Sequence, residues 1–284
     1  MKNRQAEILL LIFSILFALI VADFIIRHYL AKFSLDSFNK AGEPRLLIHN
    51  PRFRPEGNAD VVFIGDSFTY GFRLKDRNES YPSQVSKISG MSTANYASPG
   101  QNQLDIFWVF NNKIAHQPKI IIYGFYWNDL EYTKGNPAGD NIDSRYCREI
   151  TQDDSWYIHK IIIEKIKQAI EPGDSIDYFL RHDTLALKCQ QSIFRRMRDS
   201  SNSTIIILNI PMNSEEDPRD QMIEQRIYAI AKEEGLLTID GANTNFKQRA
   251  NYTYLKINET DIHYNGIGNR ILAEIVSEYI ETIS

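Results

Sequence analysis

The stretch Asp60-Val61-Val62-Phe63-Ile64-Gly65-Asp66-Ser67-Phe68-Thr69-Tyr70-Gly71 decides the fold. Its first half, Asp60 to Ile64, is a short apolar run that reads as a buried strand. Gly65 then permits a sharp turn that a residue with a Cβ adopts only at a cost. Ser67 is left at the carboxyl end of that strand, the edge where open α/β sheets place their ligands. A hydroxyl there can act as a nucleophile if a histidine takes its proton and N–H groups hold the oxyanion. The plainer reading is that Asp66 or Ser67 only caps the next helix.

Outward from this stretch, strands alternate with helices. Tyr81 to Ser89 reads as a helix closed by Gly90, and Thr93 to Ala97 as a second strand. Asn102 to Ala115 carries Leu104, Phe107, Trp108 and Phe110 at helical spacing. Lys119 to Tyr126 and Thr204 to Ile210 are the third and fourth strands. Pro218 to Glu234 is an amphipathic helix stopped by Gly235, Leu236 to Ile239 a fifth strand, and Gly268 to Ile283 the last helix. Such alternation implies an α/β class, a parallel sheet with helices on both faces. Residues 130 to 200 exceed what a crossover needs. They read as a mostly helical insert, with Trp156 to Ile170 and Ile176 to Arg198 as its helices. It either shapes the ligand edge or merely elaborates the surface.

The chain has 284 residues, 43% hydrophobic and 12% aromatic, ample for a core and unlike a disordered protein. A net charge of −4 leaves no basic surplus for phosphates, which argues against nucleic acid as a partner. Residues 8 to 26, ILLLIFSILFALIVADFII, break with this soluble character. These 19 residues, at about 1.5 Å each, just cover a hydrocarbon layer of roughly 30 Å. A retained single-span anchor over residues 1–27 is the expectation; a cleaved signal peptide and a buried helix are the alternatives. Lys2 and Arg4 nearly balance Arg27 and Lys32 across the span, so the short N-terminal tail decides the orientation. It places the rest of the chain, extracytoplasmic or periplasmic, outside the cytoplasmic membrane. Residues 28–58 are polar, contain Pro44, Pro51 and Pro55, and read as a stalk, so the folded domain spans residues 59–284.

Cys147 and Cys189 are the two cysteines, both within the insert. Outside the cytoplasm they invite one disulfide, with two buried thiols as the rival reading. They are too few for a metal site. Three further motifs follow strands. Gly100, in Ser98-Pro99-Gly100-Gln101-Asn102, can turn its N–H toward a ligand or simply make a turn. Asn128, in Gly124-Phe125-Tyr126-Trp127-Asn128-Asp129, can offer its amide to an anionic oxygen or serve as a cap. His263, in Asp261-Ile262-His263-Tyr264-Asn265-Gly266-Ile267-Gly268, has a carboxylate two residues before it that can orient the ring.

Taken in order, these blocks resemble those of the SGNH/GDSL hydrolases. GDSFTYG is similar to the family's first block, with Ser67 as nucleophile. Gly100 falls on the second block, Asn128 on a stretched third, and DIHYNGIG on the last. The resemblance covers about residues 59 to 284, leaving the insert unmatched. It implies a flavodoxin-like, three-layer fold with a five-stranded parallel sheet in the order 2-1-3-4-5. It also implies catalysis by Ser67, His263 and Asp261, an oxyanion hole from Ser67, Gly100 and Asn128, and no cofactor. The family's usual aspartate position is here Thr260, one step earlier than Asp261; Glu259 is a further candidate. Tyr126 and Trp127 are candidates for binding substrate, although aromatic rings equally suit a core or an acyl chain. The expected activity is that of a serine esterase or O-acyltransferase on acyl, above all acetyl, esters of envelope glycans. Transfer would need a multi-span membrane acyltransferase as partner. A lipase or lysophospholipase, and a non-catalytic glycan-binding subunit, are the other readings.

Overall fold

The computed structural model describes residues 59–114, 118–134, 184–211, 218–240, 242–249, 252–258 and 261–283, together with residues 14, 17, 18 and 21. The first strand is β1 (Val61–Gly65). It is followed by the short helix α1 (Ser67–Tyr70), helix α2 (Tyr81–Ser89) and strand β2 (Thr93–Asn95). Next come helix α3 (Gln103–Lys113), strand β3 (Ile120–Phe125) and a 3₁₀ turn over Trp127–Lys134. Helix α4 (Thr184–Ser200) leads into strand β4 (Thr204–Asn209), and helix α5 (Pro218–Glu233) into strand β5 (Leu237–Thr238). The chain then runs through helix α6 (Ala242–Arg249), strands β6 (Lys256–Asn258) and β7 (Asp261–Tyr264), and helix α7 (Gly266–Ile283).

The main sheet is parallel, in the order β2-β1-β3-β4-β5. Val61 pairs with Thr93 on one side and Ile120 on the other, Ile120 with Thr204, and Ile206 with Leu237. The parallel, five-stranded sheet is the one read from the sequence, and its strand order is the one the resemblance implies. The strands are apolar runs because both of their faces are covered. Val62, Ile64, Ile121, Tyr123, Ile205 and Ile207 meet α3, α4 and α5 on one face. Val61, Phe63, Ile122, Ile206 and Leu208 meet α2, α6 and α7 on the other. The period of two along each strand thus divides one sequence between two cores.

The boundaries and some elements differ from expectation. β5 shrinks to two residues, which suffices for an edge strand. Helix α6 and the β6–β7 hairpin were not anticipated. Among the described side chains of α6, only Ala242 and Phe246 are in the buried core, too few to print a helical period. β6 and β7 pair antiparallel outside the main sheet. Within the expected insert, α4 packs Ala186, Cys189, Ile193, Phe194 and Met197 into the core, so it is a crossover helix rather than a cover. Residues 135–183, with the expected helix Trp156 to Ile170, lie outside the described residues, as do the stalk and most of residues 8 to 26. Of that apolar run, Ser14, Phe17, Ala18 and Val21 are helical and exposed. Among the described residues, no helix is long and apolar enough to cross a membrane.

Candidate active site

The site begins with a backbone that cannot carry a side chain. Gly65 ends β1 at φ +154°, and a Cβ there would lie 2.4 Å from Thr69 Oγ1 and 2.6 Å from the Gly124 carbonyl. Gly124 faces it across the β1–β3 pair, and a Cβ at that position would lie 2.2 Å from Thr69 Oγ1. The two glycines therefore let α1 sit directly on the strand ends. Asp66 caps α1: its carboxylate accepts from Phe68 N at 3.0 Å. Asn95 Nδ2 donates to the Thr69 carbonyl at 2.8 Å and Tyr81 Oη to Thr69 Oγ1 at 3.0 Å, tying α1 to β2 and α2. Ser67 is consequently fixed at the head of α1. The capping role belongs to Asp66, which leaves the Ser67 hydroxyl free to face elsewhere.

It faces His263. Ser67 Oγ and His263 Nε2 are 2.8 Å apart, and His263 Nδ1 lies 2.6 Å from Asp261 Oδ1. The short spacing of the last block is bridged locally. Asp261 Oδ1 also accepts from His263 N at 3.0 Å, a turn in which the carboxylate folds back over the next residues. That fold brings the carboxylate to the ring, so the position one step closer than usual can reach it. Thr260 and Glu259 lie outside the described residues. β7 is anchored from behind. Tyr264 Oη donates to the Pro211 carbonyl after β4, and Asn265 Oδ1 accepts from Ile267 N and Gly268 N to start α7.

Rings and charges complete the surroundings of the imidazole. Phe68 and Phe72 approach it at centroid distances of 4.7 and 5.1 Å. Arg73 Nη1 donates to Asp261 Oδ2 at 2.7 Å. These three residues were not singled out from the sequence; their proximity to the nucleophile was the only available signal. Burial pulls the Asp261 carboxyl up. The hydrogen bonds from the His263 backbone and ring, with the His263 and Arg73 charges, outweigh it and hold the group below the usual carboxylate range. Burial pushes Asp66 up to about 6, partly offset by Phe68 N, the Ser67 hydroxyl and the His263 charge. Ser67 Oγ lies 3.2 Å from Asp66 Oδ2, so Asp66 is a second, longer acceptor for the same proton.

The two other expected oxyanion donors follow β2 and β3, the strands that flank β1, so both loops lie at the same carboxyl edge as Ser67. Gly100 is in an exposed turn at φ +78°. Asn128 is half-buried in the turn after β3, and its Oδ1 is buried with no hydrogen-bond partner. Asp129 holds that turn by accepting from Tyr126 N at 3.1 Å and Tyr123 Oη at 3.3 Å. Burial and the charge of Asp66 push the Asp129 carboxyl well above its usual range.

Of the readings left open for Tyr126, its burial matches core packing. It is 4% exposed and its ring lies 4.4 Å from that of Phe68, beneath α1, so it packs the site from below and has no open face for a sugar. Trp127 is half-buried beside it. Cys189 is buried on α4 and disulfide-bonded, and Cys147, the other cysteine of the chain, lies outside the described residues. Among the described residues no cluster of metal-ligating side chains is present.

No family model and no curated protein matches the sequence. The fold is similar to that of solved structures. TesA aligns at a TM-score of 0.52 and 12% identity, over 79% of this chain and 99% of that one. A member of the lipolytic protein G-D-S-L family from Veillonella parvula DSM 2008 aligns at 0.49 and 15%, over 78% and 97%. A catalytic mutant of an acetylxylan esterase from Geobacillus stearothermophilus aligns at 0.49 and 17%, over 79% and 95%. At 12% identity the likeness to TesA speaks for the fold alone, and the chemistry rests on the residues of the site.

Proposed function

We propose that the protein is a serine esterase of the SGNH/GDSL type, working through an acyl-serine intermediate. The observation that carries this reading is the continuous chain Ser67 Oγ, His263 Nε2, His263 Nδ1, Asp261 Oδ1, with links of 2.8 and 2.6 Å, at the carboxyl edge of a parallel sheet. His263 takes the Ser67 proton as the oxygen attacks an ester carbonyl. Asp261 fixes the ring so that Nε2 is the accepting nitrogen and stabilises the imidazolium. The Ser67 and Gly100 N–H groups and the Asn128 amide serve as donors to the tetrahedral oxyanion. His263 then returns the proton to the leaving alkoxide, and water or another hydroxyl takes the acyl group.

The substrate and the setting form the finer part of the proposal. We read the ester as a short acyl group, above all acetyl, on a cell-envelope glycan. The protein would be anchored through residues 8 to 26, with its folded domain extracytoplasmic. The uncharged run from Ile8 to Ala22 supports the anchor, and Trp127 beside the site supports a sugar ring. Transfer rather than hydrolysis would require a multi-span membrane acyltransferase to deliver the acyl group.

Turnover of 4-nitrophenyl esters of graded chain length by the detergent-solubilised full chain tests the reading. Acetate should be the best substrate, and Ser67→Ala should abolish its turnover. A preference for long chains would favour a lipase. A folded protein that turns over no ester and retains acetylated glycan would be a binding subunit.

A further inference from the structure

Arg73 is the unusual residue of the site. It is the one non-glycine residue among those described whose φ is positive, at 62°. A long side chain adopts that conformation rarely, and such outliers concentrate where surrounding contacts hold them for a purpose. Here the contact is visible. The backbone reverses after Gly71, with Leu74 N donating to the Gly71 carbonyl, and the reversal sends the Arg73 guanidinium back across the site. Its Nη1 reaches Asp261 Oδ2 at 2.7 Å, joining residues 188 apart in the chain. The guanidinium also lies 5.5 Å from the centre of the Phe72 ring, which itself flanks His263.

The two oxygens of Asp261 thus have divided tasks. Oδ1 accepts from both the backbone and the ring of His263, and Oδ2 accepts from Arg73. With Oδ1 alone engaged, the carboxylate would be free to rotate about its own bond and present either oxygen. An ion pair on Oδ2 removes that freedom. The Asp261 side chain is 7% exposed while that of Arg73 is 58% exposed, so the cation holds a buried acceptor from the solvent side. Such a pair is worth more than one in which both groups are solvated.

We propose that Arg73 is a positioning residue of this site: by holding Asp261 Oδ2 it fixes the carboxylate plane that orients His263. The proposal rests on the reading of Ser67, His263 and Asp261 as the reacting constellation. When the guanidinium is removed, Asp261 keeps its bond from the His263 backbone and stays beside the ring, but its carboxylate plane is no longer fixed.

The test is kcat and KM for 4-nitrophenyl acetate with the full-length protein, its Arg73→Ala and Arg73→Lys variants, and the same changes made in Asp261→Asn. Arg73→Ala should lower kcat about tenfold with little change in KM, within the hundredfold that an ångström of misplacement costs. Arg73→Lys keeps a cation for Asp261 Oδ2 and should recover most of that loss. In the Asp261→Asn background, Arg73→Ala should change kcat less than twofold, because the group it acts through is gone. No rescue by lysine, or the same tenfold loss in both backgrounds, would overturn the proposal. Absence of turnover in the unaltered protein would instead overturn the esterase reading itself.

Discussion

The nucleophile side and the base side of this site are built by different means. Ser67 heads α1, directly after β1, an inner strand of the main sheet, and its position follows from buried backbone. Gly65 and Gly124 face each other without side chains, Asp66 caps α1, and Thr69 is held by Asn95 and Tyr81. His263 stands on β7, outside that sheet, in a hairpin whose Ile262 is 46% exposed. Polar contacts aim it: Asp261 to the ring, Arg73 to Asp261, and Tyr264 to the Pro211 carbonyl. The first half is a property of the core and the second of a small set of hydrogen bonds. Substitutions on the first side should therefore cost stability, and those on the second should cost rate.

The sharpest contrast is expected at Asp261. Asp261→Asn keeps the shape and the acceptor for His263 N but removes the charge that holds the ring. It should lower kcat/KM by about 10²–10⁴ with little change in melting temperature. A loss below threefold would reduce the mechanism to Ser67 and His263. Gly65→Ala is the counterpart on the other side. The added Cβ has contacts of 2.4 and 2.6 Å to relieve, at a φ that alanine resists. It should destabilise the protein by about 3–5 kcal/mol in denaturant unfolding. Normal stability in Gly65→Ala would remove the distinction between the two sides.

Asp66 gives the smallest effect, and one that depends on pH. Its folded carboxyl titrates near 6 because it is buried, above its ordinary value of 3.8. Between these values the folded state binds more protons than the unfolded state, so stability falls as pH rises. Asp66→Asn retains the cap of Phe68 N but has no charge to bury. The wild type should therefore lose about 2.4 kcal/mol relative to Asp66→Asn between pH 4 and pH 7. A constant difference across that window would show that Asp66 is not buried as a charge.

The same division explains what could be read from the sequence. β1, β3 and β4 are apolar runs because helices cover both of their faces, and a doubly buried strand announces itself. Gly65, Ser67 and the order of the blocks follow from those strands. The base side left fainter marks. Lys256 to Tyr264 is polar enough to pass for a loop, because the hairpin packs through Tyr264 while Ile262 faces solvent. That Asp261 reaches His263 depends on a backbone turn that residue spacing does not encode. Arg73 could not be found without its φ and its partner, 188 positions away. Tyr126 was legible only as two alternatives: an aromatic residue at a strand end looks the same whether it lines a site or supports it from below.

The central claim is that Ser67 is a nucleophile activated by His263. Labelling with a fluorophosphonate probe, followed by mass spectrometry of the peptide that contains Ser67, measures it most directly. The account predicts one covalent adduct per chain, on Ser67, with its rate of formation reduced at least about 10²-fold in His263→Ala. A folded protein that stays unlabelled, or that labels equally fast without His263, would contradict it.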